Sequence, residues 1–310
     1  MPRIGFLGPL GTFTEQALLT QADLAAAELV PLASIPDVLA ATSDGEVDLG
    51  FVPIENSIEG SVNITLDALT FDADLLLQRE VVINVVMNLL VPPGVTLEQV
   101  ERIVSIPVAT AQCRRWLQAH LPDAEHVPAN STAEAARLVG EERDGRSAAI
   151  APALAGELYG LTALGTDIED HPENQTRFVV VARSGVPAPT GHDKTTIVCF
   201  QHADRPGSLL GILQEFSARA INLTYLSSRP TKRSLGEYCF FIDLEGHLAD
   251  EVVADCLREL KAKLADVKFL GSYPAAGDQG DAVRRDVVAS WRAADEWLRA
   301  IRADVVPGEG

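Results

Sequence analysis

Short apolar runs alternate with alanine-rich helical patterns through residues 1–183 of this 310-residue chain. The runs include RIGFLG from Arg3, VDLGFVP from Val47, RIVSI from Arg102 and RFVVVAR from Arg177. Strands that alternate with helices form βαβ units and a sheet with many parallel strand pairs. This order predicts the α/β class for the first part of the chain.

A different order of elements follows. It is predicted to be strand, helix, strand, strand, helix, strand, at residues 195–200, 206–218, 222–228, 237–244, 250–265 and 267–273. The βαββαβ order within about 80 residues is that of the ferredoxin-like split unit. We therefore expect a second, separate domain.

The distribution of charge places the boundary between these domains. Residues 1–193 contain ten Arg and no Lys and carry a net charge of −17, whereas residues 194–310 carry −2. The change falls in SGVPAPTGHDK, residues 184–194, whose prolines and glycines are typical of a linker. The predicted divisions are a first domain at 1–185, a linker at 186–193, a second domain at 194–275 and a tail at 276–310.

The tail is predicted to be one amphipathic helix. Its apolar residues recur alternately four and three positions apart, which places them on one helix face. They are Val287, Trp291, Ala294, Leu298 and Ile301. No chemistry is assigned to them.

Composition excludes several classes of function. A net charge of −19 gives nucleic acid and anionic membrane surfaces nothing to attract them, so neither partner is expected. The four cysteines are far apart and the six histidines are scattered, so no disulfide framework, metal site or cofactor is expected. The amino terminus does not have the pattern of a signal peptide, and the apolar run 81–91 is too short to span a bilayer, so we expect a cytoplasmic protein.

Polar clusters at the ends of predicted strands are candidates for a site. IGFLGPLGTFTEQA, residues 4–17, ends a strand and starts a helix, with Thr12 and Glu15 in capping-box spacing. It is either an anion-binding helix start or an ordinary one. FVPIENSIEGSV, residues 51–62, places Glu55, Asn56 and Ser57 after a strand, where they either bind a ligand or form a turn.

Two further clusters have the same form. SIPVATAQCRRW, residues 105–116, presents Gln112 near a helix start, where it faces either a ligand or solvent. PENQTRFVVVAR, residues 172–183, places Thr176 and Arg177 at the mouth of a buried strand. A threonine hydroxyl can donate to a leaving oxygen, and an arginine can hold a carboxylate, although an ion pair with a nearby Glu explains Arg177 equally well.

These four segments, followed by the βαββαβ unit, resemble prephenate dehydratase of the monofunctional bacterial type. The resemblance rests on GPLGTFTEQA, PIENSIEG, AQC and NQTRF, and on PGSLLGIL and INLTYLSSRP in the second domain. It extends from Ile4 to about Tyr273, nearly 90% of the chain. The second domain resembles an ACT domain, a regulatory module that binds amino acids.

The resemblance implies a fold. The catalytic domain is expected to be two-lobed and similar to periplasmic binding proteins, with its site in the cleft between the lobes. The first lobe is expected to combine about residues 1–75 with 160–185, and the second to contain about 76–159. The complete expectation is an α/β two-lobed catalytic domain plus a ferredoxin-like ACT domain.

The resemblance also implies a reaction. Prephenate loses water and carbon dioxide to give phenylpyruvate, the penultimate step of phenylalanine biosynthesis. Thr176 is the expected proton donor to the leaving hydroxyl. The expected substrate-binding residues are Thr12, Phe13, Thr14, Glu55, Asn56, Ser57, Gln112, Arg177 and Phe178.

Regulation by L-phenylalanine is expected at the interface of an ACT-mediated homodimer, or of a homotetramer built from it. The expected effector-binding residues are Gly207, Ser208, Leu209, Leu210, Asn222, Leu223, Ser227, Ser228, Arg229 and Pro230. The family's ESRP segment is SSRP here, with Ser227 in place of Glu, which leaves the strength and identity of the effector open. Two alternatives remain open for the function, namely arogenate dehydratase and a non-catalytic amino-acid sensor.

Overall fold

The computed structural model describes residues 1–142, 145–203, 205–232, 236–277, 293–294 and 296–302. The chain forms two compact units. The first contains Met1–Leu75 and Val81–Arg183, and the second contains Leu76–Glu80 and the chain from Ser184 onward. Within the described residues, every helix is too short or too polar to cross a membrane.

The first half of the first unit alternates strands and helices, as its sequence predicts. Its elements are β1 (Arg3–Leu7), α1 (Phe13–Leu19), α2 (Ala22–Ala25), β2 (Glu28–Leu32), α3 (Ile35–Asp44), β3 (Leu49–Asn56), β4 (Gly60–Ser61), α4 (Asn63–Asp67), a π-helical turn (Ala68–Asp72) and β5 (Leu76–Asn84).

The second half of this unit continues the alternation. Its elements are β6 (Asn88–Val91), a 3-10 turn (Leu97–Gln99), β7 (Arg102–Ser105), α5 (Pro107–Gln112), α6 (Arg114–His120), β8 (Glu125–Pro128), α7 (Thr132–Glu141), β9 (Ser147–Ala151), α8 (Ala153–Tyr159), β10 (Thr162–Gly165) and β11 (Gln175–Ala182).

These strands form two separate sheets, each of which defines one lobe. The first lobe has the strand order β2-β1-β3-β11-β5, and β4 pairs with β3. The second lobe has the order β10-β6-β9-β7-β8. Both mix parallel pairs, such as β1 with β2 and β7 with β8, with antiparallel pairs, such as β3 with β11. The expected two-lobed α/β architecture is confirmed.

The chain passes between the lobes at two crossings, and these correct the expected lobe bounds. The apolar run 81–91 looks like one strand, but it divides between β5 in the first sheet and β6 in the second. β10, expected in the first lobe, pairs with β6 in the second. Buried apolar residues conceal the first crossing, because Val85 and Met87 lie between the strands and yet are of the same types as the strand residues around them.

Close helix–sheet packing holds the first lobe together. Gly50 on β3 lies directly under α3, where an added Cβ would approach the Thr42 hydroxyl oxygen to 2.5 Å. The core below contains Ile4, Phe6 and Phe51, all fully buried. Each such side chain contributes about 1.5–3 kcal/mol when it leaves water.

The second unit contains the predicted βαββαβ order. Its elements are β12 (Asp193–Phe200), α9 (Ser208–Ser217), β13 (Leu223–Pro230), β14 (Tyr238–Glu245), α10 (Glu251–Lys263) and β15 (Asp266–Pro274). The strands form one antiparallel sheet in the order β13-β14-β12-β15. The ferredoxin-like prediction is therefore confirmed.

The predicted tail helix falls only partly within the described residues. Ala294, Leu298 and Ile301 are helical there, and Leu298 and Ile301 are exposed. Val287 and Trp291 lie outside the described residues.

Candidate active site

Thr176 lies near the start of β11, beside the end of β3. In the antiparallel register Thr176 is opposite Asn56 and Arg177 is opposite Glu55, and the register shifts between Arg177 and Phe178. Such a bulge changes the direction in which a side chain points. The pairing brings together the ENS and TRF segments, which lie 120 positions apart in the sequence.

The hydrogen-bond direction at Thr176 is set by Asn56. The Asn56 Oδ1 atom accepts from the backbone N–H groups of Ile58 and Glu59, both at 2.9 Å. The amide nitrogen must then point the other way, where Nδ2 donates to the Thr176 hydroxyl oxygen at 2.9 Å. Because the Thr176 oxygen accepts this bond, its own proton is left for another acceptor. None of the residues that the structure describes accepts it.

Two further amides extend this arrangement into the second lobe. Asn56 Nδ2 also donates to Asn174 Oδ1 at 2.8 Å, and Asn174 Nδ2 donates to Gln112 Oε1 at 3.2 Å. Gln112 Nε2 in turn donates to Glu59 Oε1 at 2.9 Å. We call Glu59, Gln112, Asn174, Asn56 and Thr176 the amide chain. Two backbone N–H groups bound to Asn56 and the Glu59 carboxylate bound to Gln112 lie at the two ends of this chain. They fix which atom of each amide donates and which accepts.

Arg177 and Glu55 bind each other. The Arg177 Nε and Glu55 Oε2 atoms are 3.1 Å apart, and Arg177 is 7% exposed. Of the two explanations for this arginine, the structure has the ion pair. The pair lies beside Thr176, and contact of either side chain with substrate stays a prediction.

The assignment of Phe178 to substrate binding is not supported by its position. Phe178 is 2% exposed and stacks on Phe51 with ring centroids 5.3 Å apart. The bulge before it directs the ring into the core of the first lobe. Its role is to anchor β11, since an aromatic pair of this kind adds about 0.5–1.5 kcal/mol beyond burial.

The start of α1 forms a helix cap of nearly the expected kind. The Thr12 hydroxyl oxygen accepts from the Glu15 N–H at 3.2 Å, but the Glu15 carboxylate accepts from Gly11 rather than from Thr12. Thr12 and Thr14 are buried, and Phe13 packs against the core clusters of both lobes. Phe13 therefore joins the lobes, and direct contact of the three residues with substrate stays a prediction.

Gly11 brings the loop before α1 against the second lobe. Its φ of +86° is strained for other residues, and an added Cβ would lie 3.2 Å from the Ala155 Cα atom. One residue earlier, the Leu10 carbonyl accepts from the Tyr159 hydroxyl at 3.0 Å. The two lobes therefore contact each other on this side.

Ser57 closes the turn after β3. Its hydroxyl oxygen accepts from the Gln175 N–H at 2.9 Å, and its own N–H donates to the Gln175 carbonyl at 2.8 Å. Gln175 also donates from Nε2 to Asn84 Oδ1 at 2.9 Å. Ser57 thus combines the turn role considered for it with a position one residue from the amide chain.

Cys113, in the AQC segment, is not a nucleophile. Burial, and then the nearby charges of Glu169 and Asp170, raise the pKa of its thiol to about 12. Since the thiolate is the reactive form, the side chain stays neutral and inert near neutral pH. It packs in the core of the second lobe.

Two members of the amide chain were not predicted to be site residues. Asn174 belongs to the NQTRF motif, in which Thr176 and Arg177 carry more recognisable chemistry than an asparagine does. Glu59 lies in PIENSIEG, and nothing in the sequence distinguishes it from a solvated glutamate. Each of these two residues joins the amide chain through a hydrogen-bond partner that lies more than 50 positions away in the sequence.

The expected effector residues fall in two groups within the second unit. Gly207 caps α9 with a φ of +89°, Leu209 and Leu223 pack against the core, and Leu210 is 58% exposed. Asn222 Nδ2 donates to Glu245 Oε1 at 3.0 Å. Ser208 begins α9, and its hydroxyl oxygen accepts from the Arg205 N–H at 3.2 Å. The other four residues lie along β13, which stands at one end of the sheet. They are Ser227, Ser228, Arg229 and Pro230.

Comparison with known proteins identifies both parts of the chain. Residues 4–186 match the family model for prephenate dehydratase, and residues 195–262 match the model for the ACT domain. A curated prephenate dehydratase from Mycolicibacterium vanbaalenii is 45% identical over 306 residues, which cover 94% of this chain and 97% of that protein.

Solved structures extend the likeness to the fold. A prephenate dehydratase from Arthrobacter aurescens, in complex with L-Phe, is 41% identical with a TM-score of 0.88. The match covers 97% of this chain and 99% of that one. A protein described as a novel type of quorum quenching acylase is 32% identical with a TM-score of 0.79, over 88% of this chain and 98% of that one.

The family model spans more than half of the chain, and the similarity to curated members covers nearly all of it. The segments that carry these matches include those that form the amide chain. This chain belongs to the prephenate dehydratase family and carries a C-terminal ACT domain.

Proposed function

We propose that the chain converts prephenate to phenylpyruvate, water and carbon dioxide in L-phenylalanine biosynthesis, with Thr176 as the proton donor. One observation carries the assignment of this role. Asn56 donates to the Thr176 oxygen, so the single proton of that hydroxyl is directed away from the amide chain. A leaving hydroxyl placed there would receive it.

The chemistry requires little else from the protein. The ring hydroxyl of prephenate leaves as water when it gains a proton. The bond to the ring carboxylate breaks to release carbon dioxide, and its electron pair completes the aromatic ring. A positioned donor contributes about 10²–10⁴-fold to such a step. Because a threonine hydroxyl is a weak acid, we infer a tight hydrogen bond with proton relay rather than free ionisation of Thr176.

The remaining polar groups of the site would hold the substrate. Gln112 supplies an amide and Ser57 a hydroxyl near Thr176, and the first turn of α1 supplies backbone N–H groups for a carboxylate. The two N–H groups of Asn56 bind Asn174 and Thr176, so Asn56 orients these partners rather than the substrate. The charged side chains beside Thr176, Arg177 and Glu55, are paired with each other. Neutral donors therefore orient the dianion, which leaves the departing carboxylate without a stabilising cation.

L-Phenylalanine is the proposed effector, bound at the ACT domain. The related enzyme from Arthrobacter aurescens is in complex with this amino acid. We propose a homodimer through the ACT domains, with β13 and the exposed Leu210 at its interface. Light scattering distinguishes this dimer from a homotetramer. We place the enzyme in the cytoplasm, where its four buried thiols would remain reduced.

Parallel incubation with prephenate and with arogenate tests the proposed function. Prephenate is expected to give phenylpyruvate at a rate far above that of phenylalanine release from arogenate. A preparation of Thr176→Val enzyme, purified identically, controls for contaminating activity. Preferential turnover of arogenate would reassign the substrate. Binding of prephenate without either product would instead identify a non-catalytic sensor.

A further inference from the structure

Asn174 is a buried amide that connects site residues of the two lobes. It is 1% exposed, so a substrate in the cleft does not reach it. Its Oδ1 atom accepts from Asn56 in the first lobe, and its Nδ2 atom donates to Gln112 in the second. A buried amide satisfied on both sides is costly to disturb, because each partner would lose its bond away from water.

The backbone of Asn174 is held at the place where the chain crosses between the lobes. The Asn174 carbonyl accepts from the Val85 N–H at 2.8 Å, and the Asn174 N–H donates to the His171 carbonyl at 3.1 Å. Val85 lies on the crossing between β5 and β6, and Asn174 lies on the crossing between β10 and β11. The residue is therefore fixed relative to both sheets.

The chemistry of the amide chain requires different groups on the two sides of residue 174. Gln112 gives its N–H to the Glu59 carboxylate, so it turns its oxygen towards Asn174 and needs a donor there. Asn56 turns its N–H towards Asn174 and needs an acceptor there. A neutral amide meets both needs, whereas a carboxylate offers only acceptors.

We propose that Asn174 is a positioning residue for the dehydration. It acts through Asn56 and Gln112, holding each in the orientation that keeps the Thr176 proton facing the cleft. The inference rests on the proposed function of this site. It assigns to Asn174 no contact with the substrate, so its loss affects the rate of the chemical step more than the binding of prephenate.

Replacement by an isosteric acid gives a test that a purely structural role would not satisfy. In Asn174→Asp the ionised carboxyl faces the Gln112 oxygen, and kcat is expected to fall about tenfold to hundredfold, as a misplaced catalytic group would cause. KM is expected to change less than kcat, because Gln112 is only one of the groups proposed to hold the substrate.

The pH profile of Asn174→Asp then separates positioning from folding. Burial next to acceptor atoms and Glu59 raises the pKa of the substituted carboxyl above its ordinary value of about 3.9. As the pH falls through that pKa, the carboxyl gains a proton and can donate to Gln112 again. Its kcat relative to wild type is therefore expected to recover at low pH, whereas that of Asn174→Ala is not.

Each outcome decides the proposal. Recovery in Asn174→Asp and not in Asn174→Ala supports it, provided that circular dichroism shows both variants folded. Unchanged kcat in both variants, or equal loss at every pH, overturns it while leaving the proposed function intact. A wild-type enzyme that does not convert prephenate overturns the proposed function itself, and with it this inference.

Discussion

The amide chain of the first unit and a hydroxyl cluster in the second are both built from polar side chains that bond one another, but only Asn174 is buried in the first, whereas every member of the second is buried. In the second unit the Thr196 hydroxyl donates to Asp243 Oδ1 at 2.6 Å and lies 2.7 Å from the Tyr273 hydroxyl. Since Thr196 has only one proton, Tyr273 must be the donor to it. Beside it, Thr195 donates to the Gly246 carbonyl at 2.7 Å.

The two clusters differ in whether each threonine proton has an acceptor among the described residues. In the hydroxyl cluster of Thr195, Thr196, Asp243 and Tyr273, the threonine protons end on a carboxylate and on a carbonyl. In the amide chain, the proton of Thr176 ends on none of the described residues. A closed cluster stabilises a fold, whereas an open one has a donor ready for substrate. The predictions that follow break each cluster in turn.

The largest effect is expected from Thr176→Val, which removes the open donor. Turnover should fall at least about a hundredfold, the lower range of what a positioned acid contributes. Binding of prephenate should change little, because the valine has nearly the same shape. Steady-state kinetics and calorimetry with prephenate measure the two effects. Thr176→Ser, which keeps the hydroxyl, serves as the matched control, and unchanged turnover in the valine variant would refute the donor assignment.

Asn56→Asp should give the Thr176 proton an acceptor inside the amide chain. The side-chain oxygen that replaces Nδ2 can only accept, so the Thr176 hydroxyl turns its proton inwards and away from the substrate. The expected loss in kcat is about tenfold to hundredfold. Because both changes remove the same proton, the double variant with Thr176→Val should be little worse than Thr176→Val alone. Additive losses in the double variant would contradict this account.

Thr196→Val should damage stability rather than catalysis. The valine removes one hydrogen-bond partner from each of two buried groups, the Tyr273 hydroxyl and the Asp243 carboxylate. This loss lowers the free energy of unfolding by about 1–3 kcal/mol. Urea unfolding, followed with a probe in the ACT domain, measures the loss, and kcat without effector should stay within about twofold. Tyr273→Phe removes one hydroxyl only and should cost less. A parallel fall in kcat would show that the closed cluster also serves the active site.

The smallest of the four effects is expected at the effector site, from Ser227→Glu. The new carboxylate restores the acid of the family's ESRP segment and can pair with the ammonium group of an amino acid. An ion pair at a partly exposed position adds about 0.2–1 kcal/mol, which corresponds to up to about fivefold in affinity. Calorimetry of the full chain with L-phenylalanine measures it. Ser227→Gln, of similar length but uncharged, is the control, and equal tightening by both would exclude the charge as the cause.

The sequence alone determined the elements that depend on local patterns. The βαββαβ order after the linker was predicted within about two residues at each boundary, because period-two and period-3.6 hydrophobicity are read over short windows. The polar strand ends at Asn56, Gln112 and Thr176 could also be identified. Asn56 and Thr176 meet because the end of β3 lies beside the start of the antiparallel strand β11.

Local patterns failed where no turn residue marks a break. The run 81–91 has two polar residues, Asn84 at the end of β5 and Asn88 at the start of β6, but no glycine or proline marks the passage between the strands. The helical stretch after β7 is divided at Cys113 into α5 and α6, although its residue types favour one helix. Burial of Phe178 likewise followed from a bulge, which depends on the register with β3.

Tertiary structure alone decided how the polar residues are used. Arg177 became an ion-pair partner of Glu55 because β3 and β11 are in that register, and the direction of the Asn56 amide depends on two backbone N–H groups in the next turn. Asn174 acquired its role from partners 118 and 62 positions away. Hydrogen-bond direction is a property of assembled neighbours, so the sequence could indicate which groups meet, and only the fold could decide which of them donates.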